Sequence, residues 1–359
     1  MGGNFFKQMK VLIITEEIPT TMGGGTTFLT FFTKGLRYYG IDYEVLAPQE
    51  HNSFKNFFIR NLINKIIYLR WQINVMAYLE NNEKWKEFDL INVHEFVYSG
   101  ELAMKIKEKY GIPIVLTSHG IYTEGLKERK VNKFVISQCK RQEKKVCQNA
   151  DYIIGINRNV AEYYKKFNKN VTFIPNFIDT SMFKPIERQG IKTIAWIGRL
   201  SREKNVGRIC DIAKDNPDKN FLIVGDGEEF EKIKANSPDN VIFAGRIDYN
   251  DIPEIHKKID LLFNFCEVEP FGLNVLEGMA SGIPAITYDV NEFHYFVGGS
   301  GAGEVIPLDA ELNSAFNISL NQIENDYENY SSKAVETAQL YDYKIAVDKY
   351  IKIFKEVLK

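Results

Sequence analysis

Short runs of apolar residues recur along the first half of the chain, and most are separated by stretches with helical periodicity. Six such runs predict strands: Lys10–Thr15, Tyr43–Ala47, Phe88–His94, Ile112–Ser118, Asp151–Ile156 and Val171–Pro175. Continuous apolar runs are typical of strands that a parallel sheet buries on both faces. Their alternation with helices therefore predicts an α/β domain in which helices cover both faces of the sheet.

The pattern starts again after the segment Pro175–Gly190, which contains two prolines, has no clear period and is predicted to be a linker. Five further strands are predicted at Lys192–Gly198, Asn220–Gly225, Asn240–Gly245, Asp260–Phe265 and Ile283–Thr287. A chain of 359 residues suits two domains of about 150 residues each. We therefore predict two doubly wound parallel-sheet domains, residues 1–180 and 181–335, followed by a helical segment, residues 336–359, that packs back on the N-terminal domain.

The charge is divided unevenly between the two halves. The whole chain has 45 basic and 47 acidic residues, a net charge of −2, which argues against a dedicated nucleic-acid-binding protein. Residues 1–180 hold 25 Lys and Arg against 18 Asp and Glu, whereas residues 181–359 hold 20 against 29. This asymmetry predicts that the halves meet different partners. No leader and no membrane-spanning segment is recognised, so a cytoplasmic protein is expected.

Ligands bind to doubly wound sheets at the carboxyl ends of the strands, so the candidate residues are those that follow predicted strands. After the first strand, Gly23, Gly24 and Gly25 precede a helix, where backbone N–H groups can approach a phosphate. The dinucleotide fingerprint Gly-x-Gly-x-x-Gly fails because Phe28 stands at its last position. Taken alone, these glycines fit an ordinary turn equally well.

A basic loop follows the predicted strand Lys192–Gly198. Arg199 and Lys204 are five residues apart and lead into the next helix. A guanidinium and an ammonium group at such a place suit a diphosphate, although a solvated basic loop is the simpler explanation of these two residues alone. A histidine, His119, stands between Ser118 and Gly120 at the end of another predicted strand. It could donate to a sugar hydroxyl or a phosphate, or be structural.

The stretch from Glu267 to Glu277 carries the most specific pattern. Glu269 lies in the loop before a helix predicted to begin at Leu273, and Glu277 lies inside that helix. The first backbone N–H groups of a helix are free to bind an anion or a sugar oxygen, and a carboxylate can accept from both hydroxyls of a ribose. Glu277 could instead be a surface residue, but its apolar neighbours favour burial, which requires a polar partner.

These residues together resemble the retaining nucleotide-sugar glycosyltransferases of the GT-B fold, in the large family that includes bacterial mannosyl- and glucosyltransferases. The matching segments occur in order along the chain: Gly23–Gly25, Ser118-His119-Gly120, Pro175-Asn176-x-Ile178-Asp179, Gly198-Arg199 with Lys204, Val224-Gly225-Asp226-Gly227, and Glu269-x7-Glu277 with Phe271-Gly272. Two positions depart from the family pattern, because Phe177 replaces a usual glycine and Asn157 replaces a common serine.

The resemblance implies two Rossmann-like domains with a cleft between them, and a role for each matching residue. Arg199 and Lys204 would neutralise the leaving diphosphate, and Glu277 would hold the ribose hydroxyls. Glu269 and the backbone of Phe271, Gly272 and Leu273 would hold the donor sugar. His119 would touch the sugar and help to stabilise the developing oxocarbenium ion. The remaining contacts would be Gly24 and Gly25 to the diphosphate, and Gly245, Arg246 and Ile247 to the base.

The implied reaction is retaining transfer of a hexosyl unit from a nucleotide diphosphate sugar, most simply UDP- or GDP-linked, to a glycan, lipid-linked or other acceptor. No cofactor is expected, and the absence of an Asp-x-Asp triplet predicts independence from metal ions. Two other functions remain open on the same fold. A nucleotide-sugar epimerase would need no acceptor, and a non-catalytic nucleotide-sugar-binding protein would show no turnover.

The segment Phe54–Ile73 combines an apolar face at helical spacing with four basic and no acidic residues. This profile is typical of a helix that lies on an anionic membrane surface, which would place the protein peripherally on the inner face of a membrane. The alternative is a helix that packs on the sheet with its basic face in water, because every helix of this fold buries one face.

Overall fold

The computed structural model describes residues 9–16, 24–48, 57–128 and 131–359. The chain folds into two compact units. The first comprises Met1–Asn176 together with Tyr343–Lys359, and the second comprises Phe177–Asp342. The first unit therefore contains chain from both before and after the second unit. Within the described ranges, no helix combines the length and the apolar character that are needed to cross a bilayer.

The sheet of the first unit consists of six parallel strands: β1 (Lys10–Ile14), β2 (Asp42–Leu46), β3 (Leu90–His94), β4 (Ile114–Ser118), β5 (Tyr152–Gly155) and β6 (Val171–Phe173). Their spatial order is β2-β1-β3-β4-β5-β6. The order reverses between β1 and β3, and the carboxyl ends beside such a switch point are where doubly wound sheets bind ligands. β3 and β4, each with every residue buried, form the centre of this sheet.

In the described part of the first unit, seven helices cover this sheet: α1 (Gly24–Tyr38), α2 (Phe57–Glu80), α3 (Tyr98–Tyr110), α4 (Tyr122–Glu128), α5 (Lys133–Asn149), α6 (Arg158–Lys165) and, after the second unit, the C-terminal helix (Tyr343–Val357). The C-terminal helix packs on α1. The Phe32 and Tyr350 rings lie 4.9 Å apart, and Gly35 faces Val347 so closely that a Cβ atom there would overlap the valine. A glycine at this crossing lets the two helices approach.

The second unit contains another six-stranded parallel sheet: β7 (Thr193–Ile197), β8 (Asn220–Val224), β9 (Val241–Gly245), β10 (Leu261–Asn264), β11 (Ala285–Tyr288) and β12 (Gly303–Ile306). The spatial order is β12-β11-β10-β7-β8-β9, so the switch point lies between β7 and β10. Ile194 pairs with Leu261 across it. A large apolar core, which includes Trp196, Phe263 and Phe265, surrounds these two strands.

Six helices complete the second unit: α7 (Ile209–Asp215), α8 (Phe230–Asn236), α9 (Ile252–His256), α10 (Leu273–Ala280), α11 (Leu312–Asn325) and α12 (Tyr327–Gln339). With these labels the C-terminal helix is α13. Short 3₁₀ turns follow β7 at Arg202–Lys204 and precede α9 at Tyr249–Asp251. α10 is buried over most of its length and packs against α12.

All eleven predicted strands exist, and their ends lie within two residues of the predicted ones. The prediction missed β12, a four-residue strand at the edge of the second sheet that glycines and a small loop surround. The divisions of the chain differ slightly from the predicted positions 180 and 335. Phe177 and Ile178 are fully buried within the second unit, and Ile178 forms a bridge with Asp342, so the unit includes both.

Candidate functional site

The carboxyl ends of β7 and β10 place the most specific predicted residues beside the switch point of the second sheet. The loop after β7 carries Arg199 and Lys204, and the loop after β10 carries Glu269. Asn274, near the start of α10, donates its side-chain amide to the carbonyl oxygen of Ile197 at 2.8 Å. This bond fixes the beginning of α10 against the end of β7, so the three segments form one edge.

Lys204 and Glu269 form a direct ion pair, although 65 residues separate them in the chain. Lys204 Nζ lies 2.7 Å from Glu269 Oε2, and the two side chains are only 20% and 10% exposed. The Asn264 amide approaches the same oxygen at 3.3 Å. Burial disfavours the ammonium charge of Lys204, but the Glu269 carboxylate outweighs this effect, and the pKa of Lys204 is raised. The lysine is therefore a fixed, fully charged cation.

Arg199 has a different environment from Lys204. Its side chain is 70% exposed, and its guanidinium lies 3.2 Å from Glu203 in an ion pair on the surface of the loop. Exposed pairs of this type contribute little to stability, because water screens them and the side chains lose freedom. Arg199 can therefore leave Glu203 at little cost and reach another anion.

Glu277 lies one to two turns inside α10 and is 5% exposed. The Tyr249 hydroxyl donates to its Oε1 atom at 2.7 Å. Burial raises the pKa of Glu277 to about 7, although the tyrosine hydrogen bond opposes this shift. The expected partner of a buried carboxylate is thus present, and it is a hydroxyl group.

The turn between Glu269 and Glu277 is shaped by Gly272, the residue before α10. Its φ of +90° lies in the left-handed region, and a Cβ atom there would overlap the ring of Phe293. Phe271 is buried among the rings of Phe296 and Tyr341, so only its backbone can meet a ligand. Leu273 begins the helix, where N–H groups lack partners within the helix.

The predicted base contacts lie at the end of the neighbouring strand β9. Gly245 is the last residue of β9, and its carbonyl oxygen accepts from the Gly225 N–H at 2.8 Å. Arg246 is exposed and Ile247 is half-buried. Tyr249, the partner of Glu277, follows two residues later, so this segment lies on the same edge as α10.

The predicted residue of the first unit, His119, follows β4 and is joined to a chain of buried polar groups. Its Nε2 atom lies 2.9 Å from Nδ1 of His94, and Nε2 of His94 lies 3.0 Å from Oδ1 of Asn92. The Phe28 ring meets the His119 ring edge to face, with the centroids 4.7 Å apart. Burial lowers the pKa of His119 to about 4, so the ring is neutral at neutral pH.

The remaining predictions concern the glycines after β1, the metal ion and the residue Asn157. Gly24 and Gly25 form the first residues of α1, whereas Gly23 lies outside the described residues. Among the described residues, no group of three or more His, Cys, Asp or Glu side chains is arranged to hold a metal ion. Asn157, which replaces a serine that is common in the family pattern, is the N-terminal cap of α6, where its side chain accepts from the Val160 N–H at 2.8 Å.

Sequence reasoning missed the side chains that hold the site residues. They are Tyr249 beside Glu277, Asn264 beside Glu269, and Asn92 and His94 behind His119. One signal was present in the sequence: Asn92 and Asn264 are amides in short strands of mainly apolar residues. A buried amide needs hydrogen-bond partners, and so such a residue indicates a polar network at that end of the strand.

Taken together, the edge of the second sheet offers the buried cation Lys204, the exposed cation Arg199, the buried carboxylates of Glu269 and Glu277, and the start of a helix. Cations compensate a diphosphate, and carboxylates accept hydrogen bonds from hydroxyl groups. This combination suits a ligand that has phosphates and several hydroxyls.

Known proteins resemble the chain over nearly its whole length. Sequence models of two families match: Glycosyltransferase Family 4 over residues 22–182, and Glycosyl transferases group 1 over residues 177–339. The UDP-Gal:alpha-D-GlcNAc-diphosphoundecaprenol alpha-1,3-galactosyltransferase of Escherichia coli is 26% identical over 310 residues, which cover 79% of this chain and 78% of that protein.

Solved structures share the fold at low sequence identity. Sucrose-phosphate synthase from Thermosynechococcus elongatus superposes with a TM-score of 0.81 at 16% identity, covering 98% of this chain and 99% of that one. Anabaena HepE, solved in complex with UDP and glucose, gives a TM-score of 0.70 at 18% identity, covering 97% and 100%. The Family 4 model matches most of the first unit and the group 1 model matches the second, and so the chain has the GT-B fold with two Rossmann-like domains and is a glycosyltransferase.

Proposed function

We propose that this glycosyltransferase moves a hexosyl unit from a nucleotide diphosphate sugar to a glycan, lipid-linked or other acceptor, with retention of configuration at the anomeric carbon. One observation carries the proposal: the buried pair of Lys204 and Glu269, 2.7 Å apart, beside the switch point of the second sheet. The pair offers a cation for the diphosphate and a carboxylate for the sugar at a single point.

When the donor binds, its groups would replace hydrogen-bond partners that the site residues have in the structure. The ribose hydroxyls replace the Tyr249 hydroxyl on Glu277, since both are O–H donors to the same carboxylate. The sugar hydroxyls bind Glu269 and the N–H groups of Phe271, Gly272 and Leu273. Gly245, Arg246 and Ile247 meet the base, and Gly24 and Gly25 let the diphosphate approach α1. A UDP- or GDP-linked donor is the simplest choice.

In the reaction, the bond between the anomeric carbon and the phosphate oxygen breaks, and its electron pair stays on the leaving diphosphate. Lys204 is positioned to compensate that charge, and Arg199 joins it after leaving Glu203. Fixed cations are most effective where charge develops in the transition state. The leaving phosphate takes the proton of the acceptor hydroxyl on the same face, so this route uses no protein base, no metal ion and no cofactor.

The acceptor proposal is supported by a relative and by the surface of α2. The Escherichia coli relative is named for transfer to a diphosphoundecaprenol-linked sugar, a lipid-linked acceptor. In the described part of the segment Phe54–Ile73, three large aliphatic side chains are more than half exposed: Ile66, Leu69 and Ile73. The opposite face of α2, with Tyr68 and Trp71, is buried in the core. We infer peripheral contact with the inner face of a membrane through this exposed apolar stripe.

A thermal-shift screen tests the donor class. The purified protein is heated with UDP-glucose, UDP-galactose, GDP-mannose, ADP-glucose and TDP-glucose, because a ligand that binds the folded state raises the unfolding temperature. We expect one base to stand out at equal concentrations, with and without EDTA. The stabilising donor is then incubated alone and with acceptors. An epimerised sugar without acceptor, or absence of any stabilisation, contradicts the proposal.

Co-sedimentation with vesicles tests the membrane contact. We expect the wild-type protein to sediment with anionic phosphatidylglycerol vesicles at low salt and to stay in solution with neutral phosphatidylcholine vesicles. The triple change Ile66→Ser, Leu69→Ser and Ile73→Ser should reduce binding at least about threefold. Ile318→Ser is the matched control, since Ile318 is 61% exposed on α11 of the second unit. Equal loss in both variants, or no binding by the wild type, contradicts the inference.

A further inference from the structure

A buried amide in the first unit sets the direction of a row of hydrogen bonds. Asn92, on β3, is fully buried, and its Nδ2 atom donates to the carbonyl oxygen of Val115 and to the hydroxyl oxygen of Thr117, each at 3.0 Å. The reverse orientation would place Oδ1 against the Val115 carbonyl, which can only accept. The backbone of β4 therefore fixes which end of the Asn92 amide is the oxygen.

The fixed oxygen of Asn92 determines the protonation of the next residue. Oδ1 of Asn92 lies 3.0 Å from Nε2 of His94, so this nitrogen must carry hydrogen to make a bond. Burial, assisted by His119, lowers the pKa of His94 well below its ordinary value, so the ring is neutral. A neutral imidazole has one N–H, which leaves Nδ1 of His94 as an acceptor.

The contact with His94 in turn determines the protonation of His119. Nδ1 of His94 is an acceptor 2.9 Å from Nε2 of His119, so Nε2 of His119 must be the donor. The neutral ring of His119 then carries no hydrogen on Nδ1. Within the part of the chain that the structure describes, no hydrogen bond reaches that Nδ1 atom.

We propose that Asn92 and His94 are positioning residues that hold His119 in the Nε2–H tautomer, so that its Nδ1 atom presents an acceptor to a hydroxyl of the substrate. This inference rests on the proposed function and on the expectation from the family resemblance that His119 touches the donor sugar. It reverses the expectation that His119 donates to a hydroxyl or a phosphate. A lone pair repels phosphate oxygens, binds a hydroxyl hydrogen and tolerates positive charge on a nearby anomeric carbon.

The surroundings of the two rings favour the neutral state. Phe28 and Phe32 of α1 pack against His94, and Phe28 also packs against His119. Tyr350 of α13 contacts both phenylalanine rings. On the other side, the Ser99 hydroxyl donates to the carbonyl oxygen of His94 and also approaches Glu16 at 3.1 Å. Glu95 is the next residue in the chain. The hydrogen-bond partners of the ring nitrogens are thus neutral: Nδ1 of His94 meets Nε2 of His119, and Nε2 of His94 meets the Asn92 amide.

Nitrogen-15 spectroscopy of the ligand-free protein decides the tautomers. Long-range proton–nitrogen spectra of protein labelled with nitrogen-15 histidine distinguish Nε2–H from Nδ1–H rings, and the chain has five histidines. The variants His94→Asn and His119→Asn each lack the cross-peaks of one imidazole ring, and this loss assigns the cross-peaks of His94 and His119 in the wild-type spectrum. We expect both rings as Nε2–H at pH 7. An Nδ1–H ring at His119 overturns the proposal, whatever the activity of the enzyme.

Variants of His94 test the consequence for transfer, with the donor that stabilises most in the thermal-shift screen. His94→Leu removes the acceptor for His119 and should lower kcat about tenfold, with a mixed tautomer at His119 in a folded protein. His94→Asn returns an acceptor oxygen near the place of Nδ1 and should restore kcat to within about threefold. Equal kcat in wild type and His94→Leu overturns the proposal.

The two experiments also separate this inference from the proposed function. The spectra require no donor, so they support or overturn the tautomers even if no nucleotide sugar binds. If the tautomers are as expected but His119→Ala transfers as well as wild type, then the contact of His119 with the sugar is wrong and the inference falls with it. Transfer by wild type with an Nδ1–H ring at His119 overturns the inference alone.

Discussion

His119 in the first unit and Lys204 in the second unit both follow a sheet strand, but they are held in opposite ways. His119 is a neutral ring at the end of a row of hydrogen bonds that begins at a backbone carbonyl. Lys204 is a buried cation whose partner is the carboxylate of another side chain, Glu269. The orientation of His119 is therefore determined by hydrogen bonds that begin at the backbone, and that of Lys204 by an ion pair.

The difference indicates which half of the site can rearrange. The contacts of Lys204 and Glu277 are made by side chains, Glu269 and Tyr249, that ligand groups of equal charge or hydrogen-bond type can replace. The row behind His119 cannot shift without leaving polar atoms of the buried Asn92 amide unpaired, which costs about 1–3 kcal/mol. We therefore expect donor binding to change the second unit more than the first.

The largest effect is expected for the charge in the second unit. Lys204→Ala leaves Glu269 without its cation and the leaving diphosphate without compensation, so transfer should fall about 100-fold or more. Steady-state kinetics measure this change. Lys214→Ala is the control, since Lys214 pairs with Asp211 on the exposed surface of α7, and its activity should be unchanged. Turnover by Lys204→Ala close to that of wild type would remove Lys204 from the site.

A smaller effect is expected for the turn that places α10. Gly272→Ala introduces strain at a φ of +90° and an overlap with Phe293, whereas Gly190→Ala introduces strain at a φ of +97° in open space. Gly272→Ala should therefore lower the free energy of unfolding about 2 kcal/mol more than Gly190→Ala does. Chemical denaturation measures both values.

The same variant of Gly272 sharpens the contrast between the two units. It should weaken donor binding, because Leu273 and Glu277 follow the altered turn, and it should leave the nitrogen-15 spectrum of His119 unchanged. A changed His119 spectrum would contradict the separate support of the two site residues.

The smallest effect is expected for the proton on Glu277. Its pKa of about 7 exceeds the ordinary value of 4.5, so the carboxyl group becomes protonated as the pH falls below 7. A protonated carboxyl cannot accept fully from two ribose hydroxyls, and so donor affinity should fall about fivefold between pH 7 and pH 6. Titration calorimetry at several pH values measures this dependence, which should vanish in Glu277→Gln.

The pH dependence of the free energy of unfolding provides a control for the raised pKa of Glu277. Its sign is opposite to that of donor affinity, because stability falls as the pH rises. A carboxyl group with a raised pKa in the folded state stabilises the fold below its unfolded pKa, and that contribution is lost as the pH rises towards the folded pKa. Relative to wild type, Glu277→Gln should therefore gain stability between pH 4.5 and pH 7 and keep a constant gain above. A gain that is independent of pH would contradict the shifted pKa.

The sequence predicted the sheets better than it predicted the contacts of the site. Apolar runs such as the one that became β4 define strands because burial on both faces leaves a local signal. β12 has no such signal in the sequence, because it is an edge strand of four residues in which Glu304 and Val305 are only half-buried. The meeting of Lys204 with Glu269 could be anticipated only through the resemblance to a family. Tyr249 could not be found, because its partner depends on where two side chains point across 28 residues of chain.

The bridge between Ile178 and Asp342 has a consequence for how such enzymes can be recombined. It brings the start and the end of the second unit side by side, at about the spacing of neighbouring strands. The unit is therefore an insert with adjoining ends, between residues 176 and 343 of the first unit. A replacement cassette therefore needs two junctions at a single place, so a chimaera could exchange the whole second unit while keeping α13 on α1.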